Sequence, residues 1–511
     1  MLAYLYGDKG ALNGQLNDSL VELQRREFIQ PRKLSVEWEY IFKHAITHEV
    51  AYSSLLIVRR KQLHGRVGDA IEALFPDRLE ELSPTLGYHF EKAEAREKAI
   101  RYLRQAAERA QATFANAEAL AFYQSALRQL ELLLAARPDE ILSQTLAQVH
   151  ESIGDIQHLI GRQTEAREAY ESALRTAPQR DAVCSSRLRR NQAKAWIIER
   201  DYDRAGNCYD EAEKVLENRV SAATDWQREW LQVQLDRMWL HYWRGDVDEI
   251  DALAKRIGPL VEEHATALQK GNFYHGLVLM ALRRDRYIAN DETIATAQTS
   301  LAATEESNVL REIGVARFVV GFAHLWAGQL DPAEKWLNDA LKLTERTGDI
   351  VLQSRCLTYL TLIQRRRGAI EDTRRYAEHS LALATAVKMV EYIAMAKGNL
   401  AWVHLRNGDV ASAFKEAAEA VEDFRRTPHV RGLPVLWVPL WPLIGAQLMR
   451  EQISDAIDNV EPLLTPSQMA VPADLESAMR AAVDAWKRND GAAAKIHLEK
   501  ASELARKIGY L

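Results

Sequence analysis

A chain of 511 residues, 47% hydrophobic and 27% charged, is long enough to bury several domains' worth of core. Its formal net charge of −6 argues against nucleic acid as the main partner. Three cysteines far apart (Cys184, Cys208, Cys356) supply no disulfide frame and point to a reducing compartment. With only 24 Gly and 14 Pro, and no period-2 run rich in Val, Ile and Thr, the chain is expected to be helical without a large sheet.

In chain order, Leu16 to Ile29 carries apolar residues at helical spacing and ends in a basic turn around Pro31. Trp38-Glu-Tyr-Ile-Phe reads as a short strand, and Lys43 to Leu56 and Arg59 to Phe75 read as helices. Helix, short strand and helix is the order found at the end of a winged-helix domain. Residues 1–77 are therefore expected to form a partial winged-helix-like domain, and residues 78–137 a helical arm.

From Leu86 a spacing recurs. Gly87 is followed twelve, sixteen and nineteen residues on by Ala99, Leu103 and Ala106. Gly154 is followed at the same intervals by Ala166, Tyr170 and Ala173, and Gly321 by Ala333, Leu337 and Ala340. Small residues let two helix axes approach, a large one fills the space beside the crossing, and Gly161 and Pro178 end the helices. This is the spacing of a tetratricopeptide (TPR) helix–turn–helix unit. Gly321 is expected at such a crossing, whereas Gly271 is expected to open a helix and to tolerate a side chain.

Turn centres fall at Gly161, Asp201, Gly245, about Asp285, Gly328, Gly368, Gly408, about Glu451 and about Asn489. The period is close to 40 rather than 34, which adds roughly one turn to each helix. The expected fold is all-α: an α-solenoid in which residues 138–511 form a superhelix of about nine long TPR-like hairpins. Gly432–Met449 has no charge but holds Pro434, Pro439 and Pro442. It reads as a buried helix with a broken start rather than a membrane span. With no basic-then-apolar leader either, the expectation is a soluble, cytoplasmic protein.

The N-terminal region also carries a family resemblance. Tyr40-Ile-Phe-Lys-His44-Ala-Ile-Thr-His-Glu49-Val-Ala-Tyr52, with Leu55-Leu56, Arg59-Arg60, Leu63-His64 and Ala70-Ile71-Glu72, resembles the winged helix of bacterial STAND-type (AAA-like) signalling ATPases. Many of these are fused to class III adenylate or guanylate cyclases. Leu86-Gly-Tyr-His-Phe90 and Lys98-Ala-Ile-Arg-Tyr-Leu103 are similar to that family's first helical repeat. No lysine here is followed by Ser or Thr, so a Walker A loop is excluded, and no paired aspartates suggest a cyclase metal site. The resemblance implies a sensor or scaffold arm, not an enzyme in itself. It carries no cofactor of its own, and its partner is a protein or peptide, or a separate P-loop ATPase or cyclase chain. The alternatives are the regulatory part of a split cyclase or ATPase, and a winged-helix DNA-binding regulator.

Candidate residues follow from these expectations. His44, His48 and Glu49 lack a third metal ligand nearby. By resemblance His44 occupies the position of a histidine that faces a nucleotide's phosphates, and by burial statistics it packs against the preceding strand. The basic runs at Arg25-Arg26, Arg59–Lys61, Arg187–Arg190 and Arg365–Arg367 read as solvated helix faces. Counted back from the turn glycines, Trp239, Tyr242, Trp243, Phe322, Trp326, Arg365, Arg366 and Trp402 share offsets of six, three and two residues. They are expected to line an open inner groove that takes an acidic segment, unless longer helices bury them as core.

Overall fold

The computed structural model describes residues 1–6, 11–34, 37–178, 180–218, 223–426 and 434–511. It comprises two compact units, residues 1–153 and 154–511, so the division falls inside a helix rather than at Pro138.

The first unit opens with helices α1 (Leu2–Tyr6) and α2 (Ala11–Arg25), strands β1 (Ile29–Leu34) and β2 (Glu37–Phe42), and helices α3 (Ala45–Ser53) and α4 (Ile57–Leu74). The strands pair antiparallel, with Ile29 opposite Phe42 and Pro31 opposite Tyr40. The basic turn expected around Pro31 is thus part of a strand. A two-stranded sheet has only edges, where a residue without an N–H is tolerated. Helices α5 (Ser83–Lys92), α6 (Arg96–Ala112) and α7 (Asn116–Ala136) follow. A Cβ added at Gly87 would stand 2.9 Å from the Leu103 side chain, which is the close crossing that the spacing implies. A run of ring contacts links Phe42, His48, Tyr52, His64 and the pair Tyr88 and His89, with centroids 5.1 to 6.2 Å apart.

Eighteen helices pair into nine hairpins along the described remainder. They are α8 (Glu140–Leu159) with α9 (Gln163–Thr176), α10 (Ala182–Ile198) with α11 (Tyr202–Glu217), and α12 (Thr224–Arg244) with α13 (Val247–His264). Next come α14 (Ala267–Arg284) with α15 (Asp291–Glu306), α16 (Leu310–Trp326) with α17 (Leu330–Thr347), and α18 (Ile350–Arg367) with α19 (Ile370–Ala386). The last are α20 (Val390–Arg406) with α21 (Val410–Arg426), α22 (Trp437–Met449) with α23 (Ile453–Val460), and α24 (Ala473–Lys487) with α25 (Gly491–Lys507). This is an α-solenoid of TPR-like hairpins, with no strand among the described residues beyond Pro138. Each turn needs one left-handed residue to reverse the chain. Glycine supplies it at Gly161, Gly245, Gly328, Gly368 and Gly408; Arg200, Tyr287, Glu451 and Asn489 supply it elsewhere.

The crossing at Gly321 is tight, because a Cβ there would lie 3.0 Å from the Leu337 backbone nitrogen and 3.2 Å from the Ala333 oxygen. Gly271 is no freer. Its Cβ would meet Thr304 Oγ1 at 2.1 Å, and its carbonyl already accepts the Ser300 hydroxyl at 2.7 Å, so the tolerance expected there is absent. The chargeless stretch resolves into α22 from Trp437 onward, buried through Gln447; Gly432 and Leu433 lie outside the described residues. Among the described residues no helix is long and apolar enough to cross a membrane.

Candidate functional site: the inner wall of the array

First helices of successive hairpins touch one another: α10 with α12, α12 with α14, α14 with α16, α16 with α18, α18 with α20, and α20 with α22. Their shared side forms an inner wall. The strip read from the turn offsets lies on it but is not open. Tyr242 and Trp243 are 6% exposed, Phe322 4%, Trp326 7%, and Trp402 and Arg365 are fully enclosed, while Trp239 and Arg366 keep part of their surface.

Part of the cause is contact between hairpins far apart in sequence. Arg200, in the α10–α11 turn, is ion-paired to Glu391 at the start of α20, and its guanidinium stacks 4.0 Å from the Trp243 ring. A Cβ at Gly161 would collide with Val387 at 2.2 Å. Arg286 donates to the Gln468 carbonyl at 3.0 Å, and Ala470 N–H donates back to the Arg286 carbonyl at 2.9 Å. Hairpins far apart in sequence thus meet over Trp243, while Phe322 and Trp326 pack against Tyr287, Phe318 and Tyr359 of their own and adjacent hairpins.

Arg365 is accordingly a clamp rather than a free cation. It donates to the Val438 carbonyl (2.8 Å), to Asn399 Oδ1 (3.0 Å) and to the Tyr510 carbonyl, and burial pushes its guanidinium down to about 9. Tyr510 itself stacks on Trp437, with centroids 4.1 Å apart. Arg366 donates to the Leu325 carbonyl at 3.2 Å. The acidic segment expected at Arg365 and Arg366 therefore finds no free guanidinium at Arg365.

A small cavity, about 20 Å³ of space that a water-sized molecule reaches, is lined by Tyr242, Trp243, Arg283, Tyr287, Tyr359, Glu391 and Tyr392, among others. On that measure one water needs roughly 10–15 Å³. The hydroxyls of Tyr242 and Tyr287 are 2.7 Å apart, and Arg283 lies over both rings at 4.6 and 5.6 Å. Burial holds the Tyr287 and Tyr359 phenols well above their ordinary range, so both stay neutral hydrogen-bonding groups. Beside the cavity Arg355 lies 5.7 and 5.6 Å from the Trp239 and Trp243 rings, and Trp239 in turn meets His275 edge-on at 5.1 Å. Burial first, then the Arg355 cation, pushes His275 down to about 3, so the ring is neutral.

None of Arg200, His275, Arg283, Arg355 and Glu391 stands out in the sequence. The signal available was position: His275 and Phe318 lie ten residues before their turn centres and Arg355 thirteen before Gly368. They sit one to two helical turns deeper than the offsets that were followed.

In the first unit, His44 precedes α3 as its exposed cap residue, without a side-chain capping bond, so it does not pack against the preceding strand as expected. No residue of α3 is buried. Ile46 is 75% exposed, and Val50, Leu56, Ile57 and Val58 are similarly open. The basic residues at the hairpin are matched locally: Arg25 and Arg26 pair with Glu22, and Arg32 with Glu39.

No protein-family model matches the chain, and no curated protein does either. Several solved structures are similar to the chain. A Rap protein complexed with competence and sporulation factor is 11% identical, with 80% of this chain and 98% of that one covered and a TM-score of 0.45. The quorum sensor NprR in complex with its cognate peptide NprX is 11% identical, with 63% and 84% covered and a TM-score of 0.42. A signal transduction ATPase with numerous domains (STAND) with a tetratricopeptide repeat sensor, PH0952 from Pyrococcus horikoshii, is 12% identical, with a TM-score of 0.43. That match covers 90% of this chain and 59% of that one.

Proposed function

We propose that the chain is a protein-interaction module whose second unit binds a peptide or protein segment on the inner wall of the array, as the sensor or scaffold arm of a cytoplasmic signalling system. One observation carries the reading. The wall holds four tyrosines, an arginine and a carboxylate around a water-sized cavity, where a purely structural core would hold aliphatic side chains. Aromatic and arginine side chains with polar tips are what recognition surfaces use. Because the wall is largely covered by the array's own hairpins, ligand entry requires side chains to part; a preformed open groove is not involved.

The test is site-specific photo-crosslinking in the native cell. A benzoylphenylalanine replacing half-buried Trp239 on the inner wall should capture a partner that the same group at exposed His379, on α19, does not. Equal capture at both positions, or capture at His379 alone, would place the partner on the outer surface and sink the proposal.

A second reading has its own support. α3 buries no residue, and Ile46, Val50, Leu56, Ile57 and Val58 all stay exposed; a contiguous uncovered apolar surface of this kind marks an interaction site. It lies within the stretch that resembles the STAND winged helix. The first unit would then dock a separate P-loop ATPase or cyclase chain, with exposed His44 facing a nucleotide held by that chain. A DNA-binding role is less well supported, since Arg25, Arg26 and Arg32 are already matched by carboxylates.

A further inference from the structure

Next to the inner cavity, at Trp239 and Trp243, one cation has no partner among the described residues. Glu391 is the carboxylate that lines the cavity, and Arg200 already occupies Glu391. Arg355 is 9% exposed and has no ion-pair or hydrogen-bond partner among the described residues; its Nε is fully enclosed. What it touches are the rings of Trp239 and Trp243. Stacking on indole faces stabilises a guanidinium modestly but gives the enclosed Nε–H no acceptor, and leaves the terminal nitrogens with no protein partner among the described residues. A buried cation in that condition is costly, and proteins that keep one usually pair it when they act. Arg365 gives the contrast: it is fully enclosed, and it gives its protons to two carbonyls and Asn399. Trp239, against which Arg355 stacks, and His275 beside Trp239 both keep part of their surface open. His275 is neutral, so it neither repels nor replaces an incoming anion.

We propose that Arg355 is the anchor for a carboxylate of the ligand, seated on the faces of Trp239 and Trp243, so that the inner wall selects an acidic peptide segment. The inference rests on the peptide-binding reading above and names the chemistry of that same wall. A planar fork of N–H donors between two indoles suits a carboxylate held by two parallel bonds, with the adjoining apolar part of the ligand against the rings. Two sources offer that group: an Asp or Glu side chain, or a peptide's own C-terminus.

The test uses the full chain and four small probes in a thermal-shift titration. N-acetylglutamate α-amide carries only a side-chain carboxylate, N-acetylphenylalanine only a terminal one, and their fully amidated counterparts carry none. At least one carboxylate probe is expected to raise the Tm by about 1 °C or more at tenfold its Kd, and further as the logarithm of its concentration. The responding probe identifies the source. Arg355→Gln should abolish the response and Arg355→Lys should retain part of it. Without ligand, Arg355→Met should melt no lower than the wild type, because it removes a cation that has no partner. A response that survives in Arg355→Gln, equal responses to the neutral amides, no response to any probe, or an Arg355→Met variant melting several degrees lower would each overturn the proposal. The two readings fail separately. If Arg355→Gln leaves crosslinking from position 239 unchanged, the wall binds a partner without this anchor. If the wild type crosslinks nothing there, the peptide-binding reading itself is lost.

Discussion

At the scale of single residues, two glycines of α16 meet very different surroundings. Gly321 and Gly314 lie on the same helix, but a Cβ at Gly314 would meet its nearest neighbour, the Leu343 side chain, at an ordinary 3.6 Å. Gly314→Ala should be neutral or stabilise by up to about 1 kcal/mol, since alanine is the better helix former. Gly321→Ala presses on backbone atoms that have nowhere to go and should cost about 1–3 kcal/mol. Matching denaturation midpoints for the two variants would show that the crossing is not where the structure puts it. Arg365 and Arg366 form a second pair. Arg365→Ala strands two carbonyls and Asn399 and opens a cavity, so a loss of about 3 kcal/mol or more is expected. Arg366→Ala loses one carbonyl contact and should cost under about 1 kcal/mol. Urea titrations of both variants measure the difference, and comparable losses would return Arg365 to the ordinary surface.

Among the elements, the seam between α4 and α5 carries a pH dependence. His64 and His89 face each other there, with their Nδ1 atoms 2.9 Å apart, and Tyr52 Oη is 3.0 Å from His64 Nε2. Burial, then the neighbouring His64, pushes His89 down to about 4; burial, then Lys92, lowers His64 as well. Both folded values lie below the ordinary 6.5, so between pH 6.5 and about 4 the unfolded chain binds protons that the folded unit does not. The stability they contribute is complete above 6.5 and is lost as the pH falls toward 4. Hydrogen exchange in α4 and α5 should therefore speed up from pH 7 to pH 5 beyond the intrinsic rate change. His89→Gln, which cannot titrate, should remove most of that excess. An identical acid response in the variant would assign the effect to other groups.

The elements also show what was legible. Five of the nine turns could be placed from a glycine between two apolar-periodic runs, and the other four from the roughly 40-residue spacing, since nothing in the residue type marks Arg200, Tyr287, Glu451 or Asn489 as left-handed. The strand at Pro31 was missed because proline and basic residues signal a turn unless a partner strand is already known. The inner wall was legible only as a side of the helices. Whether Trp402 is a ligand contact or core depends on residues such as Arg365, which approaches it from α18, and no local pattern encodes that.

For the molecule as a whole, the non-neighbour contacts decide how the second unit unfolds. In an open repeat array each hairpin touches only its neighbours, so stability is a sum of local terms and ends fray independently. Here Arg200 meets Glu391, Gly161 abuts Val387, and Arg286 joins the segment at Gln468 and Ala470. Hairpins that are far apart in sequence are thereby tied into one cooperative unit. Removing one partner of the buried Arg200–Glu391 pair leaves a lone charge in the core, which typically costs 3–5 kcal/mol. If closure is real, Glu391→Ala should lower hydrogen-exchange protection in α10 and α11 as much as in α20 and α21. Replacing both partners, as in Arg200→Met with Glu391→Leu, should recover most of the loss, because no unpaired charge remains. An effect confined to α20 and α21 would mean that the array behaves as an open stack. The aromatics of the inner wall would then owe their burial to adjacent helices alone.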